Sequence, residues 1–230
     1  MFAQTGLPQR LRVDNGAPWG KRSDLPTAFG LWLIGLGVEL LWNPPRRPEK
    51  NGVVERSQGT IGRWVEPGTC RDAQQLQQRL DRGVAFQREV YPAIAGKSRS
   101  EAYPQLAAGG RPYDPTREAQ QWQLERVCGW LEQGTWRRLV DKAGKIYLYN
   151  RGYQAGERRA GQWVSVRFDG STKEWVLLEP EGQEIRRYAA EEITAERIVA
   201  LDVAHQKSSR RIAKEAQRAA ATARVQPGVG

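Results

Sequence analysis

A chain of 230 residues with 39% hydrophobic content can fold as one large domain or two small ones, and its two cysteines and single histidine exclude a disulfide framework and a Cys/His zinc cluster. No apolar run is long enough to cross a bilayer, and the opening residues lack the features of a signal peptide, so we expect a cytoplasmic protein without a membrane partner. The formal net charge of +10 favours a polyanionic partner, because basic side chains that bind phosphates release condensed counterions.

The first part of the chain predicts two short strands with a helix between them. Leu11–Val13 is typical of a strand that ends at the turn sequence Asp14-Asn15-Gly16. A helix capped by Ser23 or Asp24 follows, and Val38–Trp42 predicts a second strand. We therefore expect Asp14 at the carboxyl end of a strand.

Two amphipathic helices come next, after a loop that is rich in proline and arginine. Residues 43–52 contain three prolines, which disfavour regular structure. Helices are predicted from about Val53 to Val65 and from Asp72 to Val90, and residues 91–115 are expected to be a linker. The residues expected to face the core from the first helix are Val54, Ile61 and Val65.

The second half of the chain begins with a predicted helix over Thr116–Gln133 and then changes from helical to alternating periodicity. Five short strands separated by tight turns predict a small all-β barrel. These strands are Trp136–Val140, Ile146–Tyr149, Trp163–Phe168, Glu174–Leu178 and Glu184–Tyr188. Residues 203–230, with six basic residues and one acidic residue, are expected to be disordered or a frayed helix.

Two acidic residues stand out because of the elements that carry them. Taken alone, Asp14 belongs to an ordinary turn sequence, and Glu55 near a helix start is favourably placed against the helix dipole. Together they follow a pattern of strand, helix, strand, loop and helix, with 40 residues between them. That order can bring both carboxylates to one edge of a sheet.

The order and spacing of several short motifs resemble a known family. These motifs are Gly6-Leu7-Pro8, Val13-Asp14-Asn15-Gly16, Arg47-Pro48, Asn51-Gly52 and Val54-Glu55-Arg56. They resemble the integrase core of the retroviral-integrase superfamily, and more closely the DDE transposases of bacterial insertion sequences. Leu124–Val127, Thr135-Trp136 and Val140–Gly144 are similar to the small β-barrel that follows this core in some transposases.

The resemblance implies a fold and a chemistry. The fold would be the last strands and helices of a ribonuclease-H-like integrase core in residues 1–66, a helix and linker in 67–115, a helix with a small β-barrel in 116–202, and a basic tail in 203–230. Asp14 and Glu55 would be the second and third members of an acidic triad that holds two Mg²⁺ or Mn²⁺ ions. Two metal ions about 4 Å apart can activate the attacking oxygen and stabilise the leaving oxygen of a DNA phosphoryl transfer.

One member of the triad has no counterpart in this sequence. In the family the first aspartate lies upstream of the Gly6-Leu7-Pro8 segment, and Asp24 and Glu39 do not match its pattern. We therefore expect a truncated form that is inactive alone, with three central strands missing. Either another polypeptide supplies those strands, or the reading frame is a decayed or mis-started copy of a longer gene, and we favour the second explanation.

Basic residues near the predicted site and in the tail are candidates for contacts with DNA phosphates, with ordinary surface charge as the alternative. They are Arg46, Arg47, Lys50, Arg56, Lys207, Arg210, Arg211 and Lys214. Trp136, Trp163 and Trp175 are expected in the core of the barrel because they lie in alternating strands, with a role as base-stacking platforms as the alternative. The leading hypothesis is DNA integration by strand transfer, and the alternative is a noncatalytic DNA-binding or interaction protein that inhibits full-length transposase, with self-association or that transposase as its partner.

Overall fold

A computed structural model of the protein describes residues 2, 6–21, 23–44, 52–104 and 110–204, which form a mixed α/β structure with separate small sheets. The helices are α1 (Ala28–Gly35), α2 (Gly52–Val65), α3 (Ala73–Glu89), α4 (Arg99–Ala102), α5 (Glu118–Gln121), α6 (Leu124–Glu132) and α7 (Ala195–Val199). The strands are β1 (Arg10–Val13), β2 (Glu39–Trp42), β3 (Trp136–Leu139), β4 (Lys145–Leu148), β5 (Arg151–Gln154), β6 (Trp163–Asp169), β7 (Glu174–Leu178) and β8 (Glu184–Ala189). Within the described ranges, every helix is too short or too polar to cross a bilayer.

The chain divides into two compact units. The first comprises residues 1–22 and 36–122, and the second comprises residues 23–35 and 123–230. Helix α1 therefore belongs to the second unit, although in the chain it lies between β1 and β2 of the first unit.

The first unit contains a two-stranded parallel sheet, and both of its strands are predicted from the sequence. The register runs from Arg10 beside Glu39 to Val13 beside Trp42. Parallel strands need a crossover connection, which residues 14–38 provide. The predicted strands are therefore confirmed, and they lie side by side with their carboxyl ends at the same edge.

Helix α1 begins later than its sequence predicts. Its first turn is capped by Thr27, whose Oγ1 accepts a hydrogen bond of 3.1 Å from the Gly30 N–H. The predicted cap Asp24 instead accepts a hydrogen bond from the Leu25 N–H and forms an ion pair with Arg138. The expected cap at residues 23 or 24 is wrong, because an ion pair within the second unit and the proline at position 26 move the helix start to Ala28.

Helices α2 and α3 form a packed pair, and both are confirmed close to their predicted bounds. The two helices approach closely at Gly83, where a Cβ would be at an ordinary van der Waals distance of 3.4 Å from Val65 Cγ2. Farther along the pair, Ser57 Oγ donates a 2.6 Å hydrogen bond to Gln87 Oε1. Val54, expected in the core, is 56% exposed, because it lies in the first turn of α2, beyond the contact of Ser57 with Gln87 near the end of α3.

Two segments between the helices and the β-rich region differ from their predictions. The segment after α3 was expected to be an irregular linker, yet it contains the short helix α4. The predicted helix over Thr116–Gln133 is split into α5 and α6, with Trp122 in an extended conformation at the break.

The predicted barrel is wrong. Strands β3, β6, β7 and β8 form an antiparallel four-stranded sheet, while β4 and β5 form a separate hairpin, and neither sheet closes. The hairpin turns through Tyr149 and Asn150, which both have positive φ values. Because a tyrosine is a weak turn signal at such a position, the sequence does not predict β5. In the structure, β5 pairs with β4 as an antiparallel hairpin.

The core of the second unit is centred on Trp175. Its ring is fully buried and packs against Trp136 and Phe168, and its Nε1 donates a 2.8 Å hydrogen bond to the buried carboxylate of Glu192. Trp163 is 49% exposed, with the Arg137 guanidinium 5.2 Å from the centre of its ring. The expected core placement is therefore confirmed for Trp136 and Trp175 and wrong for Trp163, which lies on the outer face of β6.

Candidate functional site

Asp14 lies directly after β1, at the end of the strand where the sequence places it. Beside it, the Asn43 N–H donates a 2.8 Å hydrogen bond to the Val13 carbonyl, which extends the pairing of β1 and β2 by one residue. Asn15 Nδ2 then donates a 2.7 Å hydrogen bond to the Asn43 carbonyl. These bonds hold the backbone around Asp14 against the end of β2, while the Asp14 side chain is exposed.

Glu55 lies in the first turn of α2 and is exposed. A carboxylate at this position is stabilised by the positive end of the helix dipole. Asp14 and Glu55 belong to the same compact unit, and neither carboxylate forms a hydrogen bond or an ion pair with another described residue. Both are therefore available to a ligand, although no described contact joins one to the other.

The described residues meet the requirements of a magnesium site only in part. Exposed carboxylates are the oxygen ligands that Mg²⁺ and Mn²⁺ prefer. Yet no group of three or more His, Cys, Asp or Glu side chains within the described ranges is placed to hold a metal ion. Asp14 and Glu55 fit a metal by their chemistry but do not form a complete ligand set.

Most of the predicted DNA-binding residues lie outside the described residues. These are Arg46, Arg47, Lys50, Lys207, Arg210, Arg211 and Lys214. Arg56 is described: it is exposed on α2, and its Nε donates a 3.1 Å hydrogen bond to the Gly52 carbonyl one turn earlier. Arg56 also lines a groove beside the helix pair.

This α2–α3 groove has a volume of about 570 Å³ and lies between α2, the end of α3 and the segment that leads into α4. Its polar lining residues are Arg56, Ser57, Thr60, Gln87, Arg99, Tyr91 and Tyr103. The floor is ordered by the hydrogen bond between Ser57 and Gln87, and Gln87 is buried. Arg99 Nη1 donates a 3.0 Å hydrogen bond to the Gln87 carbonyl, which holds this arginine at the rim.

Among the described residues, the lining of the α2–α3 groove includes Arg56 and Arg99 and no acidic residue, so its described surface is basic. Within the described part of the chain, neither Arg56 nor Arg99 forms an ion pair. Each guanidinium has one N–H held by a backbone carbonyl and the others directed elsewhere. Such a pair of cations is suited to a phosphate-bearing ligand.

A second cleft lies on the four-stranded sheet. One of its lining residues is Arg187, which is surrounded by carboxylates, unlike the arginines of the α2–α3 groove. Arg187 Nη1 lies 2.7 Å from Asp169 Oδ2 and 3.6 Å from Glu174 Oε2, and its Nε lies 3.1 Å from Glu184 Oε1. Hydrogen bonds from Ser171 and from Arg187 hold the pKa of Asp169 well below its usual range. Arg187 is therefore paired within the protein, whereas Arg167, which also lines this cleft, forms no ion pair with a described residue.

Sequence reasoning misses Arg99 and Tyr103 because it assigns their segment to an irregular linker. A local signal is present in Ser98 and Glu101, three residues apart. Ser98 Oγ accepts a hydrogen bond from the Glu101 N–H, and the Ser98 N–H donates one to Glu101 Oε2, which forms a capping box. The same backbone bond lowers the pKa of Glu101. A serine followed three residues later by a glutamate could have located α4.

No protein-family model matches the sequence. The functional inference therefore depends on two features of the described residues. One is the pair of exposed, unpaired carboxylates at Asp14 and Glu55, and the other is the unpaired arginines of the α2–α3 groove.

Proposed function

We propose that this chain contributes the second and third carboxylates of a DNA strand-transfer site of the DDE transposase and integrase type. The observation that carries the proposal is Asp14, exposed and unpaired at the carboxyl end of a strand that pairs in parallel with β2. Glu55, equally exposed, lies in the next helix after β2. The parallel β1–β2 pair followed by α2 supports the finer proposal that this region is part of a ribonuclease-H-like core.

In this proposal the residues of the chain hold metal and DNA. Asp14 and Glu55 supply carboxylate oxygens to Mg²⁺ or Mn²⁺, and Arg56, one residue after Glu55, supplies a cation for a DNA phosphate. When bound, the metal ions would polarise a DNA phosphate and lower the pKa of an attacking hydroxyl. In this proposal the first carboxylate of the triad comes from residues other than the described ones, because these contain no three-membered acidic group placed for a metal.

The proposal is tested first by sequence and then by activity. Translation of the DNA upstream of Met1 in all three forward frames distinguishes two origins: an Asp-bearing strand segment that ends shortly before Met1 would identify a late start or a frameshift, and its absence would favour a decayed copy. A protein that joins this segment to the chain should catalyse strand transfer of pre-cut donor ends with Mg²⁺. Asp14→Asn and Glu55→Gln should each abolish that activity. Strand transfer that survives either change would contradict the assignment of that residue as a metal ligand.

The chain by itself provides a second test of the incomplete site. With Mg²⁺ or Mn²⁺ and pre-cut donor ends, it should show no strand transfer, because the ligand set lacks one carboxylate. Robust strand transfer by this chain, lost in Asp14→Ala, would overturn the conclusion that it is inactive alone.

The alternative function is a noncatalytic DNA-binding protein that inhibits full-length transposase. The lack of a three-membered acidic group among the described residues and the unpaired arginines of the α2–α3 groove favour it. It predicts salt-sensitive DNA binding that survives the double change Asp14→Ala and Glu55→Ala, together with a fall in transposition on co-expression. Unchanged transposition would count against this alternative.

A further inference from the structure

The α2–α3 groove combines two features that together indicate a particular class of ligand. The first is uncompensated charge: the described lining residues include Arg56 and Arg99 and no acidic residue, and neither arginine is ion-paired with a described residue. A backbone carbonyl holds each guanidinium by one bond, which restricts its position and lowers the entropy lost on binding.

The second feature is aromatic. Tyr91 is 38% exposed and Tyr103 is 45% exposed, and both line the same groove as the arginines. The Tyr91 ring is held from one side by an edge-on contact with Trp64, with ring centres 5.1 Å apart. Exposed tyrosines beside unpaired cations are typical of surfaces on which nucleobases stack while phosphates bind the cations.

The neighbouring hydroxyls have partners within the protein. Ser57 Oγ donates to Gln87, and Thr60 Oγ1 donates a 2.9 Å hydrogen bond to the Arg56 carbonyl. Among the polar lining residues, the two arginines and the two tyrosines therefore keep donor groups that form no hydrogen bond with a described residue.

We propose that the α2–α3 groove binds a single-stranded segment of DNA, with Arg56 and Arg99 on its phosphates and Tyr91 or Tyr103 against a base. A single strand is favoured over a duplex because a tyrosine can stack only on a base whose face is free, and duplex bases already stack on one another. The choice of DNA over RNA rests on the proposed function. The binding of a single strand by the arginines and tyrosines of the groove does not depend on Asp14 or Glu55.

Binding is measured by fluorescence anisotropy with the full chain and a labelled oligothymidylate of roughly 12 nucleotides, within the usual span for such sites. EDTA is present, so that the result is independent of any metal at Asp14 and Glu55. Tyr103→Ala is expected to raise Kd about tenfold. Arg56→Ala and Arg99→Ala should each raise Kd and each reduce the slope of log K against log salt concentration by about 0.7.

Three comparisons separate a lost contact from a damaged fold. Arg88→Ala is the matched control, since Arg88 lies on α3 but is ion-paired with Glu89 and does not line the groove. Its Kd should stay within about twofold of the unmodified chain. Tyr103→Phe should keep most of the affinity because the ring remains, and Arg99→Lys should keep the salt slope because the charge remains.

The proposal is overturned if Tyr103→Ala and Arg99→Ala bind oligothymidylate as tightly as the unmodified chain. It is also overturned if a duplex of equal length is bound as tightly with the same losses, or if oligouridylate is bound more tightly than oligothymidylate. Failure of the proposed strand-transfer function has a separate signature, because it would appear in the Asp14→Asn and Glu55→Gln assays and leave binding in EDTA unchanged.

Discussion

Arg187 in the sheet cleft and Arg99 in the α2–α3 groove are both partly solvent-accessible arginines at the edge of a concave surface, but their surroundings are opposite. Arg187 is within 4 Å of three carboxylates, whereas Arg99 is held by the carbonyl of Gln87, and the described residues that line its groove include no acidic one. An arginine that is paired within the protein is used for structure, while an unpaired one is available to a ligand. The net charge alone cannot distinguish the two.

The same contrast holds for carboxylates. Glu192 is 2% exposed and accepts hydrogen bonds from Trp175 Nε1 and from the Tyr153 hydroxyl, whereas Asp14 and Glu55 are exposed and unpaired among the described residues. Burial of an acceptor is tolerated only when its donors are in place. We therefore expect Glu192 to contribute to stability and Asp14 and Glu55 to contribute to binding.

The largest expected effect is on stability and comes from Glu192→Ala. Removing the carboxylate leaves the buried Trp175 and Tyr153 donors without their acceptor and opens a cavity, which should cost roughly 3–5 kcal/mol of unfolding free energy. Urea unfolding followed by tryptophan fluorescence measures the loss. Glu191→Ala is the matched control: its exposed carboxylate pairs with Arg151, and its removal should cost about 0–1 kcal/mol. Equal losses for the two variants would contradict the structural role of Glu192.

The next largest effect is on nucleic-acid binding and compares the two clefts directly. Arg99→Ala should weaken the binding of single-stranded DNA about tenfold, while Arg187→Ala should leave it within about twofold, because Arg187 is already neutralised by its neighbours. Fluorescence anisotropy of both variants in one buffer gives the ratio of their Kd values for single-stranded DNA. If Arg187→Ala weakens binding as much as Arg99→Ala, pairing within the protein does not decide which arginine binds DNA.

A smaller effect is expected in the pH dependence of stability, through Asp169. Its pKa is lowered in the folded state by Ser171 and Arg187, so its contribution is present above the unfolded pKa of about 3.9 and is lost as pH falls through the folded value. The difference in urea midpoint between the unmodified chain and Asp169→Asn should therefore shrink as pH is lowered from about 7 towards about 3. A difference that stays constant over this range would show that the carboxylate charge is not responsible.

The smallest effect on stability is expected at the proposed metal ligands. Asp14→Asn and Glu55→Gln should each change the unfolding free energy by no more than about 0.5 kcal/mol, because neither side chain has a partner among the described residues to lose. The same urea experiment measures both variants. A loss of about 2 kcal/mol or more would identify the carboxylate as a structural group and would weaken its assignment as a metal ligand.

Local sequence patterns determined the elements that carry the candidate residues. The strand that ends at Asp14 and the helix that begins before Glu55 are formed where the turn sequence and the apolar spacing predict them. Helix α3, capped by the Asp72 side chain, is equally well predicted. These features depend on contacts only a few residues apart, which the sequence displays directly.

Tertiary structure decided which of these elements pair and which charges remain unpaired. The β4–β5 hairpin in place of a barrel depends on two residues with positive φ, and the exposure of Val54 depends on where α3 packs. The ion pair of Arg187 with Asp169 and the contact of Arg99 with the Gln87 carbonyl each join residues more than ten positions apart in the chain. Pairing and burial are set by neighbours in space, so a pattern read along one chain determines where a side chain lies in its element but not what surrounds it.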